Sequence, residues 1–437
     1  LLSVMATKNG TPRTLTNIKF GVGDVFLVAG QYNARGTTNL STDNVISYYV
    51  DVSQKPDALR VLPASRPNWS GQASAFNWDN LSFSENLLKR IRLENGLPHF
   101  RKFEPLDYLS NTYRYGKRTT TGGESHNGNW AFDDYEQMVY PFGGASWAYM
   151  PLGKKWITEK SVPVCFFNFA VNESTIEKWQ KNYINTGDAT GFENNYTVLK
   201  KFINFHGQYC GFRGILWYQG EHDLIGQTST SSYQNQLNQL ISNLNVDTGK
   251  DLSWFISKVS YSVNGSFNGY TSTTISNAQQ NVINSSATDK KFLGVDDAVS
   301  NLNNQTTRAS GFNIHFSGNS LKTLGDAWYD ALNNNLANAT PITYGGLFSV
   351  TIAHNSGNNN YTLTAPSGYN EYRWVKDEGD IENPGHYSTG TSKVVQAGLG
   401  DKEVYTCFMR NSGWKSWDMC APFEVPNTKD TEVELIL

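Results

Sequence analysis

Apolar residues follow two different rhythms along this chain. Up to about residue 340, short unbroken apolar runs alternate with segments whose apolar residues recur every three or four positions. The runs cover 24–29, 162–169, 213–218 and 252–260, each bounded by turn formers or charges. Continuous apolarity over so few residues predicts strands covered on both faces. The helical pattern is clearest at 84–92, 196–205 and 233–244. A closing helix at 320–336 carries Leu321, Leu324, Trp328 and Leu332 on one face. Strands and helices in alternation predict an α/β domain, a three-layer arrangement with a parallel sheet between helices.

Beyond residues 339–344, where Pro341 precedes the Gly345-Gly346 pair, the period becomes two. Short alternating stretches at 348–352, 361–364, 372–374, 393–395 and 404–409 are separated by Gly, Asn, Asp and Pro clusters, which predicts a small all-β sandwich. The expected organisation is a lead-in segment at 1–19, an α/β domain at 20–340, a β-sandwich at 341–425 and a linker or tail at 426–437.

The chain has 437 residues and a formal net charge of −3, without long Lys or Arg runs. Nucleic acid and anionic membrane surfaces are therefore not expected partners. No apolar stretch is long enough to span a bilayer. Charged residues make up 17% and aromatics 13%, with abundant Asn, Ser, Thr and Gly, a balance common in extracellular and carbohydrate-associated proteins; joined to the family resemblance of the motifs below, it makes a secreted or cell-surface location the expectation. Four cysteines are too few for a disulfide scaffold, and none is spaced with histidine as in a zinc site. Cys407 and Cys420 are expected either to bridge neighbouring strands or to be free thiols, and Cys165 to act as a small buried hydrophobe. No cofactor or metal is expected.

The chemistry is concentrated around Asp24-Val25-Phe26-Leu27-Val28-Ala29-Gly30-Gln31-Tyr32-Asn33. A buried strand breaking at glycine into a helix is where α/β hydrolases present a nucleophile, with helix-start amides facing a developing oxyanion. Three further blocks follow in order: Asn168-Phe169-Ala170-Val171-Asn172-Glu173-Ser174, Trp217-Tyr218-Gln219-Gly220-Glu221 and Asn313-Ile314-His315-Phe316. Together they resemble the SGNH hydrolase superfamily, in its sialate O-acetylesterase and acetyl-xylan esterase-like branch, over roughly residues 20–336. The resemblance implies a flavodoxin-like parallel sheet. It also implies His315 as base, Glu221 as a candidate orienting acid, and Gln31, Asn33, Asn172 and Gln219 at oxyanion or substrate positions. Tyr372-Arg373-Trp374 followed by Tyr405-Thr406-Cys407 resembles the core pattern of immunoglobulin-like domains.

Departures from the SGNH pattern fall where chemistry would occur. Tyr32 stands in the serine slot, where a rigid ring carries the hydroxyl too far out and nothing obvious nearby lowers the phenol from its ordinary pKa of about 10. Phe312 replaces the usual acid three residues before His315, Tyr218 replaces a histidine, and Asn172 and Glu173 replace glycines. The expected protein is a catalytically silent SGNH-type domain joined to an immunoglobulin-like module. It resembles Bacteroidetes multidomain export substrates of the type IX kind, and its role would be structural, adhesive or glycan-binding. Its expected partners are glycans or other cell-surface proteins within a longer chain or assembly. The alternative is an active carbohydrate O-acetylesterase whose nucleophile has moved, for instance to Ser146 or Ser174. Aromatics at Trp69, Trp78, Trp130, Phe142, Trp147 and Tyr149 are expected either to pack the loops above the sheet or to stack on sugars.

Overall fold

A computed structural model describes residues 2–8, 11–18, 24–36, 59–61, 147–162, 164–171, 173–183, 195–204, 211–264, 268–285, 289–308, 314–316, 319–343, 348–376, 384–385, 387–396, 403–414, 417–421 and 423–425. The helix expected at 84–92, together with Trp69, Trp78, Trp130, Phe142, Ser146, Asn172, Phe312, Asn313 and the tail at 426–437, lies outside the described residues.

The chain opens with an antiparallel hairpin, β1 (Leu2–Lys8) and β2 (Thr11–Ile18), where a lead-in segment was expected. The α/β domain then follows. Its elements are β3 (Asp24–Gly30), α1 (Tyr32–Arg35), β4 (Leu59–Val61), α2 (Tyr149–Lys160), β5 (Val164–Asn168), α3 (Asn195–Phe202), β6 (Gly214–Tyr218), α4 (Glu221–Ile225), α5 (Thr230–Thr248), β7 (Trp254–Lys258), β8 (Tyr261–Val263), β9 (Gly269–Thr271), α6 (Thr274–Asn284), β10 (Lys291–Asp296) and α7 (Asn319–Asn335). Six strands form one parallel sheet in the order β10-β7-β6-β3-β5-β4. With the short edge strand β4 set aside, this is the doubly wound flavodoxin order, in which the chain reverses direction across the sheet beside its first strand.

Period-two alternation sends successive side chains of each central strand into separate cores. Leu27, Ala29, Phe167, Ile215, Trp217, Trp254 and Ile256 pack beneath α3, α5 and α6. Phe26, Val28, Phe166, Leu216, Tyr218 and Phe255 pack beneath α2 and α7. Trp147, Trp156, Trp179, Trp217, Trp254 and Trp328 are all fully buried. At about 1.5–3 kcal/mol for each large side chain removed from water, these rings are a main source of stability. Trp147 and Tyr149 therefore pack the core instead of presenting a sugar platform; the Tyr149 hydroxyl donates to the Ala34 carbonyl at 2.7 Å. Helix α5 begins where the Ser229 hydroxyl accepts the Ser232 amide at 3.2 Å, and it ends at Gly249 with φ +63°.

The C-terminal part consists of two antiparallel sheets. One has the order β11 (Thr351–Asn355), β12 (Asn360–Thr364), β15 (Ser392–Gln396). The other runs β14 (Tyr387–Thr389), β13 (Glu371–Lys376), β16 (Val404–Arg410), β17 (Asp418–Met419), with β18 (Phe423–Glu424) also on β16. Leu363, Trp374, Val395, Cys407, Met409 and Cys420 share one core. Cys407 and Cys420 are buried free thiols, which decides between the two expectations for them. Cys407 lies on β16 and Cys420 beside it just after β17, the Cys420 amide donating to the Cys407 carbonyl at 2.8 Å.

Candidate functional site

The C-terminal ends of β3, β5 and β6 meet where the sheet reverses its winding, the usual place for a ligand crevice in open α/β sheets. Gly30 makes this junction possible. Its φ is +139°, and a Cβ there would lie 1.9 Å from the Tyr218 carbonyl oxygen. The close approach lets the Gln31 amide donate to that same oxygen at 3.1 Å, and the short helix α1 starts directly over β6.

Tyr32 opens α1, half-buried, with its ring centroid 4.4 Å from that of His315. Its hydroxyl donates to Glu173 Oε1 at 2.5 Å. Glu173 is exposed and has φ +56°, a left-handed conformation that favours glycine. Two departures recognised separately in the sequence are thus bonded to one another across the crevice. Burial first, and then the hydrogen bond to Glu173 and the charge of its carboxylate, push the Tyr32 hydroxyl well above its ordinary range. The phenol is therefore neutral and held as a donor.

Asn33 is buried and ties the crevice floor together. Its Nδ2 donates to Glu221 Oε1 at 2.7 Å and to the Ile314 carbonyl at 2.9 Å, and its Oδ1 accepts the Phe316 amide at 3.1 Å. The sequence placed Asn33 at a substrate position and Glu221 beside the imidazole. In the structure the contact made by the Glu221 carboxylate is with Asn33, and Asn33 holds the segment that carries His315. Glu221 is fully buried, and burial pushes its carboxyl up to about 7 against the opposing hydrogen bond from Asn33. A group half-neutral near physiological pH is a poor fixed partner for an imidazolium.

Gln31 and Gln219 are also fully buried. Gln219 Nε2 donates to Asp223 Oδ2 at 2.5 Å and to the Ser174 carbonyl at 2.8 Å, while its Oε1 accepts the Tyr233 hydroxyl at 2.6 Å. Gln31 Oε1 accepts the His222 amide at 3.2 Å. These amides brace the strand ends at the crevice. Ser174 is likewise committed. It is fully buried, its Oγ donates to the Val171 carbonyl at 2.8 Å and it accepts the Trp179 indole at 3.0 Å, which ties its hydroxyl into the turn after β5.

His315 sits in a strap held from below by Arg308, a residue the sequence did not flag. Arg308 donates to the Ile314 carbonyl at 3.0 Å and the Leu302 carbonyl at 2.7 Å, and it lies 3.7 Å from the Phe316 ring centroid. Asp297 faces it at 3.7 Å, both side chains being fully buried, and accepts the Tyr218 hydroxyl at 2.6 Å. Tyr218 thus anchors this buried ion pair. Burial, aided by the Arg308 charge, pushes His315 down to about 4. Its imidazole is neutral at pH 7 and a weak base, since the protonated form is expensive to make. Among the described residues no helix is long and apolar enough to cross a membrane, and no group of three or more His, Cys, Asp or Glu is placed to hold a metal ion.

Residues 143–334 match the family model described as carbohydrate esterase, sialic acid-specific acetylesterase. With the parallel sheet, this supports an SGNH esterase-like domain. Similar solved structures include a carbohydrate acetylesterase from Xanthomonas citri, at 15% identity and TM-score 0.41 over 98% of this chain and 85% of that one. A protein from Arabidopsis thaliana is similar at 15% identity and TM-score 0.36, over 72% of this chain and 99% of that one. The psychrotrophic esterase EstA from a Pseudoalteromonas species is similar at 10% identity and TM-score 0.32, over 46% of this chain and 92% of that one. No curated protein matches the chain.

Proposed function

We propose that this is an extracellular or cell-surface protein whose esterase-type domain binds glycans without hydrolysing them. The observation that carries this reading is the pairing of Tyr32 with Glu173 against the face of His315. Ester cleavage of the serine type needs a compact hydroxyl beside an imidazole, a carboxylate fixing that imidazole, and amides preset around the oxyanion. Here a phenol fills the hydroxyl's position, the Glu221 carboxylate is bonded to Asn33, and an acidic side chain stands at the turn where glycines are expected. The C-terminal β domain, in this reading an immunoglobulin-like module, would present or space the esterase-type domain. The low proportion of charged residues and the abundance of Asn, Ser and Thr support a location outside the cell.

The test is turnover of p-nitrophenyl acetate and of acetylated xylan, with fluorophosphonate labelling in parallel. Background rates and no labelling are expected. Turnover lost in a Tyr32→Phe or His315→Ala variant would refute the proposal, and a labelled Ser146 would establish the active-esterase alternative in its place.

A further inference from the structure

Beside the crevice lies a second opening. The turn from α4 to α5, the β8–β9 hairpin and the start of α6 enclose a cleft of about 440 Å³. Such a volume falls within the range of small-ligand sites, about 300–1,000 Å³. Helix α4 is common to both places, since Glu221 at its start belongs to the crevice floor and Leu224 and Ile225 at its end line the cleft.

Three ties hold the cleft walls in place. Asp223, buried within α4, accepts the Thr228 hydroxyl at 2.9 Å and the Ile176 amide at 3.0 Å, which fixes the turn leading into α5. The Tyr270 hydroxyl on the hairpin donates to the Leu224 carbonyl at 2.9 Å. The Thr230 hydroxyl donates to the Thr274 carbonyl at 2.9 Å and joins the starts of α5 and α6. A site fixed before its ligand arrives loses less entropy on binding.

None of the described side chains that line the cleft carries a charge. Gln227, Thr228, Ser229, Asn264 and Ser272 bring amides and hydroxyls, and the half-buried Tyr270 brings an aromatic ring held in place by its own hydroxyl bond. Gln227 is exposed and adopts φ +56°, a conformation that costs an ordinary side chain of order 1 kcal/mol and tends to persist at functional positions. Phosphates and carboxylates call for paired cations, which this lining lacks. A neutral polyol calls for amides and hydroxyls around its rim and a ring for the apolar face of the sugar. We propose that this cleft is a subsite for a neutral oligosaccharide. The assignment rests on the glycan-binding reading of the domain and gives that reading a place and a ligand class.

Titration calorimetry of the full chain against xylohexaose, cellohexaose and chitohexaose, with 3′-sialyllactose as the anionic comparison, tests it. At least one neutral hexaose should bind. Tyr270→Ala should weaken that binding about tenfold, the loss of roughly one ring contact, and Gln227→Ala severalfold. Tyr270→Phe, which keeps the ring, should stay within about threefold of the parent. Because Gln227 is exposed, its variant keeps the test valid if Tyr270→Ala fails to fold. Binding that survives both cleft variants but is lost in Tyr32→Phe or His315→Ala would place the ligand in the crevice, overturning the subsite and leaving the glycan-binding reading intact. Preference for sialyllactose would overturn the ligand class, and no binding to any of these sugars would overturn both.

Discussion

Replacing Glu221 with glutamine should make the stability of this protein less sensitive to pH in the neutral range. The carboxyl is fully buried and titrates in the folded chain near 7, against an ordinary value of 4.5. A raised value means that the folded state holds the proton more tightly than the unfolded chain. Folding therefore takes up a proton between those two pH values, and stability falls as pH rises from about 4.5 through about 7, after which the full cost remains. At 1.36 kcal/mol per unit, that interval corresponds to roughly 3 kcal/mol. Glutamine keeps an oxygen for Asn33 Nδ2 and has no proton to lose. Asp223 and Asp297, both pushed up to about 6 by burial, add slopes of the same sign. His315, pushed down to about 4, adds one of opposite sign, with stability falling as pH drops from 6.5 towards 4. These slopes are shared by parent and variant and cancel in the difference. Urea unfolding at pH 5 and pH 8 and constant ionic strength would measure it. The variant should gain roughly 2–3 kcal/mol relative to the parent between the two conditions. An equal difference at both pH values would refute the claim that Glu221 is forced to ionise within the core.

Other outcomes follow from the same contacts. Asn33→Ala removes the bonds to Glu221, Ile314 and Phe316 and should cost roughly 3–5 kcal/mol in urea unfolding; a loss below about 1 kcal/mol would show that the strap holding His315 does not depend on it. Gly30→Ala would force a Cβ to within 1.9 Å of the Tyr218 carbonyl and should lower soluble yield and thermal midpoint severely. Tyr32→Phe, which removes one bond to an exposed carboxylate, should cost no more than about 1 kcal/mol and leave ester turnover at background. In an NMR titration the His315 ring should stay neutral down to about pH 4, and a midpoint near 6.5 would contradict its burial.

What the sequence revealed tracks how completely each segment is buried. The strands at β3, β5, β6 and β7 were legible because apolar residues fill both faces, and α7 because Leu321, Leu324, Trp328 and Leu332 keep a helical period. Edge strand β10 was not, since Lys291-Phe292-Leu293-Gly294 reads as neither rhythm. Helix α2 was hidden by Pro151 and Gly153, and α6 by its run of Asn, Gln and Ser. The first strand of the β domain lies at Thr351–Asn355, displaced from the expected 348–352, because every residue in it is exposed and no apolar alternation sets its limits. At the crevice, the sequence identified Tyr32, Glu173, Asn33, Glu221 and His315 as residue types in order. It could not show that Tyr32 reaches Glu173, 141 positions away, or that Asn33 stands between the carboxylate and the strap. Those pairings depend on how far one loop leans over another, which no local pattern encodes.

The Tyr32–Glu173 bond also bears on how such a domain changes over generations. On the proposed reading, a reversion to serine at position 32 would leave an acidic side chain in the left-handed turn and a buried imidazole that is a weak base, so the single step would restore little. Losing the glutamate alone would leave the phenol in place. Neither mutant on its own gives selection anything to favour, so the route back to hydrolysis needs coincident changes, and the pair works as a ratchet that keeps the domain on its present course.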